Sequence, residues 1–300
     1  MDANAGGRHF RVEFRLSAGI PRTLSAWLAL LLLALAGCRG AGEETDRMVP
    51  PWWRGNPWGP EANSARTQGV IPSVPSNPDM LAWTAWGKQN LQNGDIIFRM
   101  GDARAVLGLF PFSKVSAGIA GSQYSHSGVV AIENGDPFVY DTTTKGPQRQ
   151  PLAIWVIDTR GSLAVKRPIA PYQKHAGSAA DFCRSVYQKQ TPFDFDMKLG
   201  DDRLYCIELT ERAYDHSGLS LSNPIRLDHL PKYPEYPLTV RLMKRCTKMV
   251  PHQLAYVIGN DTIGIWASPT LTLVYEAPDA RPPHSRPSPL STPQQSPSAP

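Results

Sequence analysis

The sequence predicts an α+β domain over residues 77–276, with an antiparallel sheet packed against helices. Three observations predict it. Asn134-Gly135 lies between two strand-like runs, His126 to Ile132 and Phe138 to Thr142, which is the strongest short-range hairpin signal. Ala179, Phe182, Cys183, Val186 and Tyr187 follow the i, i+3, i+4, i+7, i+8 spacing of an amphipathic helix. Apolar residues make up 41% of the 300, enough for a core, while 24 Gly without a period exclude collagen and four Cys exclude a disulfide scaffold.

Taken from the start, residues 1–37 read as a secretion leader. Arginines precede the apolar run Leu24–Ala36, which is too short for a membrane span and ends in small residues. Leu35-Ala36-Gly37-Cys38 resembles a bacterial lipobox, and that resemblance implies Cys38 as the lipidated first residue of the mature protein. Two or three acyl chains would anchor it stably. The alternative is an ordinary signal peptide with a Cys at that place. Arg39, where an Asp would signal inner-membrane retention, points to the outer membrane, facing the periplasm. Residues 38–76 are rich in Pro, Gly and Asn and read as a tether of little regular structure. Its Trp52, Trp53 and Trp58 either touch lipid headgroups or pack on the domain.

Asn77-Pro78 then supplies a helix cap and a proline for the first turn, with Met80, Trp83, Gly87 and Leu91 on one face. Asn93-Gly94-Asp95 turns into the strand Ile96-Ile97-Phe98. Beyond the hairpin, Ile154–Ile157 and Leu163–Lys166 read as strands. The amphipathic helix follows, and a second runs from about Arg203 to Asp215, capped by Asp201 or Asp202 and stopped at Gly218. Leu238–Met243, Leu254–Ile258 and Leu271–Tyr275 read as strands. Residues 277–300 read as an extended, disordered tail, since eight prolines fall from Pro278 onward.

The net charge of +5 is partly terminal: the leader carries +2 and the tail +1, leaving +2 between them. No cluster of Lys and Arg marks a nucleic-acid footprint, so no nucleic-acid partner is expected. His175, His216, His229 and His252 show no metal-ligand spacing, so no metal and no cofactor are expected either.

Three residues carry chemistry. Cys206 falls in the first turns of the second helix. A thiol attacks as thiolate, and the N–H dipoles of a helix start favour that charge and an oxyanion beside it. Most lone cysteines are buried structural residues, and that reading stands beside the first. If Asn134-Gly135 is a two-residue turn, Glu133 pairs with Asp136, Gly128 with Asp141 and His126 with Thr143. His126 and Asp141 then share a face as diagonal neighbours, about 7–8 Å apart, within reach of an imidazole and a carboxylate. The Asp would orient the ring and support its imidazolium. The plainer reading is a strand-edge His bonded to Thr143, which remains the other candidate for the orienting role.

Four motifs occur in order: Gly94-Asp95-Ile96-Ile97-Phe98, Tyr124-Ser125-His126-Ser127-Gly128-Val129-Val130, Val139-Tyr140-Asp141 and Tyr205-Cys206-Ile207-Glu208-Leu209. Over residues 90–220 the chain resembles the YiiX/YebB/YaeF-like group of NlpC/P60 cysteine hydrolases, the circularly permuted papain-like amidases. The resemblance implies a permuted papain-like domain with Cys206 as nucleophile, His126 as base and Asp141 as the third polar residue. The chain departs from the group at Ile207, often Ser, and at Asp141, often Glu. Asp194 and Asp196 match a stretch found before the Cys and read as loop structure lining the cleft. Glu208 reads as a helix-surface or salt-bridge residue. With Cys38 lipidated and Cys206 free, Cys183 and Cys246 either pair in an oxidising envelope or Cys183 stays a buried thiol.

The expected function is thiol-dependent hydrolysis of amide bonds in a peptide or acyl-amino substrate, with peptidoglycan-derived peptides named by the resemblance alone. Two alternatives stand beside it. The same site would serve a lipid ester or thioester hydrolase or acyltransferase, and a degenerate site would leave a non-enzymatic envelope-binding lipoprotein.

Overall fold

A computed structural model describes residues 48–283 except 49, 51, 55, 56, 75, 76, 102, 104–110, 201 and 247. The leader, Cys38 and the tail from residue 284 lie outside the described residues. Among the described residues, no helix is long and apolar enough to cross a membrane.

The stretch expected to be an irregular tether is partly ordered. Pro60–Thr67 forms a helix (α1) with proline in its first turn. Trp58 is buried under the Arg66 guanidinium, 4.6 Å from its ring centroid, and packs with Met48 against Ile154. Burying so large an apolar ring against the domain outweighs the low helical propensity around it. Trp52 remains exposed.

Asn77 caps Pro78–Asn90 (α2) as the sequence predicts, its side chain accepting from Met80 N at 2.8 Å. The turn into Ile96–Arg99 (β1) needs Gly94: its φ is +79°, and a Cβ there would lie 2.5 Å from Ala176 Cα. Phe112–Ala120 (α3), which sequence patterning does not reveal, precedes the hairpin of His126–Glu133 (β2) and Asp136–Thr143 (β3). Its turn residues Asn134 and Gly135 both have positive φ, and the register is the expected one, Glu133 with Asp136 and Val129 with Tyr140. Gly146–Pro151 (β4) adds an edge strand that the sequence reading left out.

Two expected strands are helices. Ile154–Ile157 belongs to the helix Leu152–Ile157 (α4), and Leu238–Met243 to a later one. The first run is apolar throughout, so it has no period to separate strand from helix. Leu163–Pro168 (β5) returns to the sheet as expected. Ala176–Lys189 (α5) is the amphipathic helix, and Cys206–Asp215 (α6) begins three residues later than expected, with Tyr205 and not an aspartate at its cap position. Ile225–Arg226 (β6) pairs with Leu254–Ala255 (β7) on either side of Pro237–Cys246 (α7), whose alternating Leu238, Val240 and Leu242 mimic a strand although Pro237 opens a helix. Leu271–Ala277 (β8) completes the main sheet.

That sheet is antiparallel, in the order β4-β3-β2-β1-β5-β8. Helices α5 and α6 cover one face, where Ala180, Cys183, Leu209 and Tyr214 pack on Ile96, Phe98 and Val129. Helices α2 and α4 cover the other, where Trp83, Leu152 and Trp155 pack on Ile97, Val130 and Val165. Central β1 is therefore buried on both faces, which is why Ile96-Ile97-Phe98 is continuously apolar. Each such side chain contributes about 1.5–3 kcal/mol by leaving water. The region after residue 223 supplies β8 and a small apolar cluster of Leu227, Leu230, Met249, Ala255 and Val257 around Tyr205.

Candidate active site

Cys206 is the first residue of α6. The cap position is taken by Tyr205 in extended conformation, and among the described residues no side chain caps the helix. Its first-turn N–H groups are thus not shared with a capping oxygen at the end where the thiol sits. Tyr205 is itself fixed by the C-terminal region: its hydroxyl accepts from Tyr256 N at 2.6 Å and donates to Tyr256 O at 3.2 Å. Glu208, expected on the helix surface, is fully buried; its Oε1 accepts from Gly200 N at 3.0 Å and lies 3.7 Å from Arg212 Nε. The salt-bridge half of that expectation holds. The carboxylate ties the loop before Cys206 to the helix, and such burial requires these partners.

His126 opens β2 and Asp141 lies near the end of β3. The imidazole Nε2 meets Asp141 Oδ2 at 2.6 Å. A Cβ on Gly128 would lie 2.6 Å from Val139 Cγ1 and 2.9 Å from Tyr140 O, so glycine lets β2 lie close against β3 just before Asp141. Thr143, the other candidate partner of His126, instead accepts from Lys145 N at 3.2 Å within the following turn. The β2–β3 ladder stops at Val129–Tyr140, and at this unpaired end Cys206 meets the imidazole. Burial disfavours the imidazolium, but the charge of Cys206 and the hydrogen bonds to Asp141 and Cys206 outweigh it. Together they push the His126 pKa up to about 10.

Sequence reasoning missed the residues behind this pair. Trp155 of α4 is fully buried, stacks on His126 at 5.9 Å and donates Nε1–H to Asp141 Oδ2 at 2.7 Å. Arg99, at the end of β1, lies 4.2 Å above the Trp155 ring, donates to the Trp155 carbonyl and approaches Asp158 at 4.0 Å. A cation closing an otherwise apolar strand was the available signal. Ser127 and Thr210 share a hydrogen bond of 2.9 Å that ties β2 to α6 directly beside the thiol, and Thr210 Oγ1 donates to Cys206 O at 3.3 Å.

The other singled-out residues are structural. Asp194 is buried and accepts from Asp196 N at 2.9 Å, while Asp196 Oδ1 accepts from Lys248 N at 3.1 Å. Their loop lines the neighbouring cleft through Phe193 and Phe195, not through these carboxylates. Cys183 is a buried free thiol whose pKa burial raises, and the side chain of Cys246 lies outside what is described.

A thiol at a helix start, an imidazole beside it and a carboxylate behind the imidazole are the parts that thiol-based acyl transfer requires. The comparisons agree with that class. A curated relative, the uncharacterized protein YiiX of Escherichia coli K12, is 29% identical over 133 residues, covering 42% of this chain. The match spans 58% of that relative's length. A crystal structure from Escherichia coli O157:H7, described as the metalloprotein yiiX, superposes with a TM-score of 0.51 at 25% identity, covering 63% of this chain and 98% of that one. Here, among the described residues, no group of three or more His, Cys, Asp or Glu is arranged to hold a metal ion. The model of the permuted papain-like amidases, YaeF/YiiX, C92 family, matches residues 90–253, more than half of the chain, and spans every element just described from β1 to β6. This chain therefore belongs to the permuted papain-like amidase family.

Proposed function

We propose that this protein is a thiol-dependent hydrolase of the bacterial cell envelope, cleaving amide bonds in cell-wall peptides or related acyl-amino compounds. The observation that supports it most is His126 standing between Asp141 and Cys206. His126 holds the thiol proton as imidazolium beside the sulfur, and the sulfur attacks the scissile carbonyl carbon. The first-turn N–H groups of α6 face the oxyanion. The C–N bond breaks as His126 returns the proton to the amine, leaving a thioester on Cys206. His126 then removes a proton from water, which attacks the thioester and releases the acid and the thiol. Asp141, held by Trp155, keeps the imidazole in the tautomer that faces sulfur.

A turnover screen of wild type against Cys206→Ala tests this, over peptidoglycan fragments, aminoacyl amides and short acyl esters. Amide turnover lost in the variant is the expected result. Preference for the esters would favour the lipid hydrolase or acyltransferase reading, and no turnover with an unreactive thiol would leave an envelope-binding lipoprotein.

The envelope location rests on the lipobox resemblance at Cys38 and belongs to the same proposal. Incorporation of labelled fatty acid, abolished by Cys38→Ala, is expected. Equal labelling of both would remove the anchor.

A further inference from the structure

The segment between leader and tail carries only +2, but its positive charge is unevenly placed. From Tyr236 to Tyr256 the chain has four cations and neither Asp nor Glu. Arg241, Lys244, Arg245 and Lys248 recur at i, i+3, i+4 and i+7, so α7 gathers them along one face, with Lys248 just past the helix end. All four are exposed, and none of them forms an ion pair among the described residues. Asp196 reaches this segment, but through the backbone N–H of Lys248 at 3.1 Å. Glu235 is exposed two residues before the helix starts.

The charged face is also apolar at an exposed position. Leu238 lies three and seven residues before Arg241 and Arg245, on their side of α7, and is 79% exposed, more than any other large apolar side chain among the described residues. Val250 and Leu254 are exposed as well. Beside the helix opens a groove lined by Leu227, Leu230, Val240, Met249 and Val250. Lys244 lines this groove and still reaches solvent, as a lysine does when its stem covers apolar surface and its ammonium stays in water.

We propose that the α7 face docks on an anionic phospholipid bilayer, with Arg241, Lys244, Arg245 and Lys248 on the headgroup phosphates and Leu238 and Val250 at the edge of the acyl layer. Cations interleaved with exposed aliphatic side chains on a short amphipathic helix are what an interfacial helix requires. A bilayer meets both halves of that chemistry at once. A nucleic acid would satisfy the cations and leave Leu238 in water, and a second copy of this chain would set the four cations against their own kind unless they were turned away. The inference depends neither on the hydrolase reading of Cys206 nor on lipidation of Cys38.

The test follows hydrogen exchange in the full chain reconstituted into two kinds of vesicle, phosphatidylcholine alone and phosphatidylcholine with about 30% phosphatidylglycerol. Residues 1–47 are the same in both, so any attachment they make cancels. Exchange in α7 should be slower in the anionic vesicles by at least about fivefold, the gain expected from a single cation at such a surface. Exchange in β1 should be equal in the two. About 0.5 M salt should remove the difference in wild type, and so should Arg241→Gln, Lys244→Gln, Arg245→Gln and Lys248→Gln together. Unfolding of that variant would show as faster exchange in β1, and the salt dependence of wild type then decides alone. Equal exchange of α7 in both vesicles overturns the proposal, as does a difference that survives salt. Slowing without vesicles as protein concentration rises would assign the face to a second copy, and stronger protection by a DNA oligonucleotide at equal phosphate would assign it to nucleic acid; either result overturns the bilayer site.

Discussion

Trp155 and His126 converge on one oxygen: the indole N–H reaches Asp141 Oδ2 at 2.7 Å and the imidazole Nε2 reaches the same atom at 2.6 Å. The carboxylate is thus fixed from the sheet's buried side before it holds the imidazole. Its other oxygen, Oδ1, is buried without a hydrogen-bond partner among the described residues, so the whole arrangement runs through Oδ2.

Replacing Trp155 by Phe keeps the ring over His126 and removes the N–H. The lost bond to a charged group is expected to cost about 1.5–3 kcal/mol in urea unfolding. Iodoacetamide labelling of Cys206 should slow several-fold as the imidazole loses its fixed partner. Trp155→Ala, which also opens a cavity, should cost about 3–5 kcal/mol. Labelling at the wild-type rate in Trp155→Phe would show that the indole N–H does not position the pair.

Asp141 and Thr143 should separate cleanly. Asp141→Asn removes the charge beside the imidazole, and turnover should fall by at least an order of magnitude with the fold intact by circular dichroism. Thr143→Ala disturbs only the turn bond to Lys145 N, and activity should stay near wild type. The reverse ranking would move the orienting role to Thr143.

Stability should also depend on pH through His126. Its folded pKa is raised to about 10, so its charged interactions contribute fully below the ordinary histidine value and are lost as pH climbs toward the raised one. The urea midpoint of wild type minus that of His126→Gln should therefore be largest near about pH 6 and shrink through alkaline pH. A difference that grows with pH would contradict the imidazolium described here.

Glu211 is a separate test of how α6 is held. It is fully buried, and its Oε1 accepts from Leu221 N at 2.7 Å and Ser222 N at 3.0 Å, while Oε2 accepts from Ser222 Oγ at 3.1 Å. Glu211→Ala leaves those donors buried and unmet, at a cost of about 1–3 kcal/mol for each. Glu211→Gln retains an acceptor and should lose less. Hydrogen exchange at Leu221 and Ser222 should quicken in the alanine variant and little in the glutamine one.

Much of the architecture was legible because local chemistry dictates it. Asn134-Gly135 can adopt the left-handed turn that sets the hairpin register, and that register alone puts His126 and Asp141 on one face. Asn77-Pro78 announces a helix start for the same kind of local reason. Leu152–Ile157 and Pro237–Cys246 were not legible as helices: the first is apolar on every side, and the second alternates like a strand.

By itself the sequence determined the order of the four motifs, the alternation within the hairpin and the residue types able to act as nucleophile, base and orienter. Those depend on period and turn chemistry, which act over a few residues. Only the tertiary structure decided that a thiol 80 residues downstream meets the imidazole, that Trp155 and Arg99 stand behind it, and that Glu208 is interior. Those contacts arise where helices from distant parts of the chain bury their apolar sides against the sheet, and no local pattern records which polar group will be carried in with them.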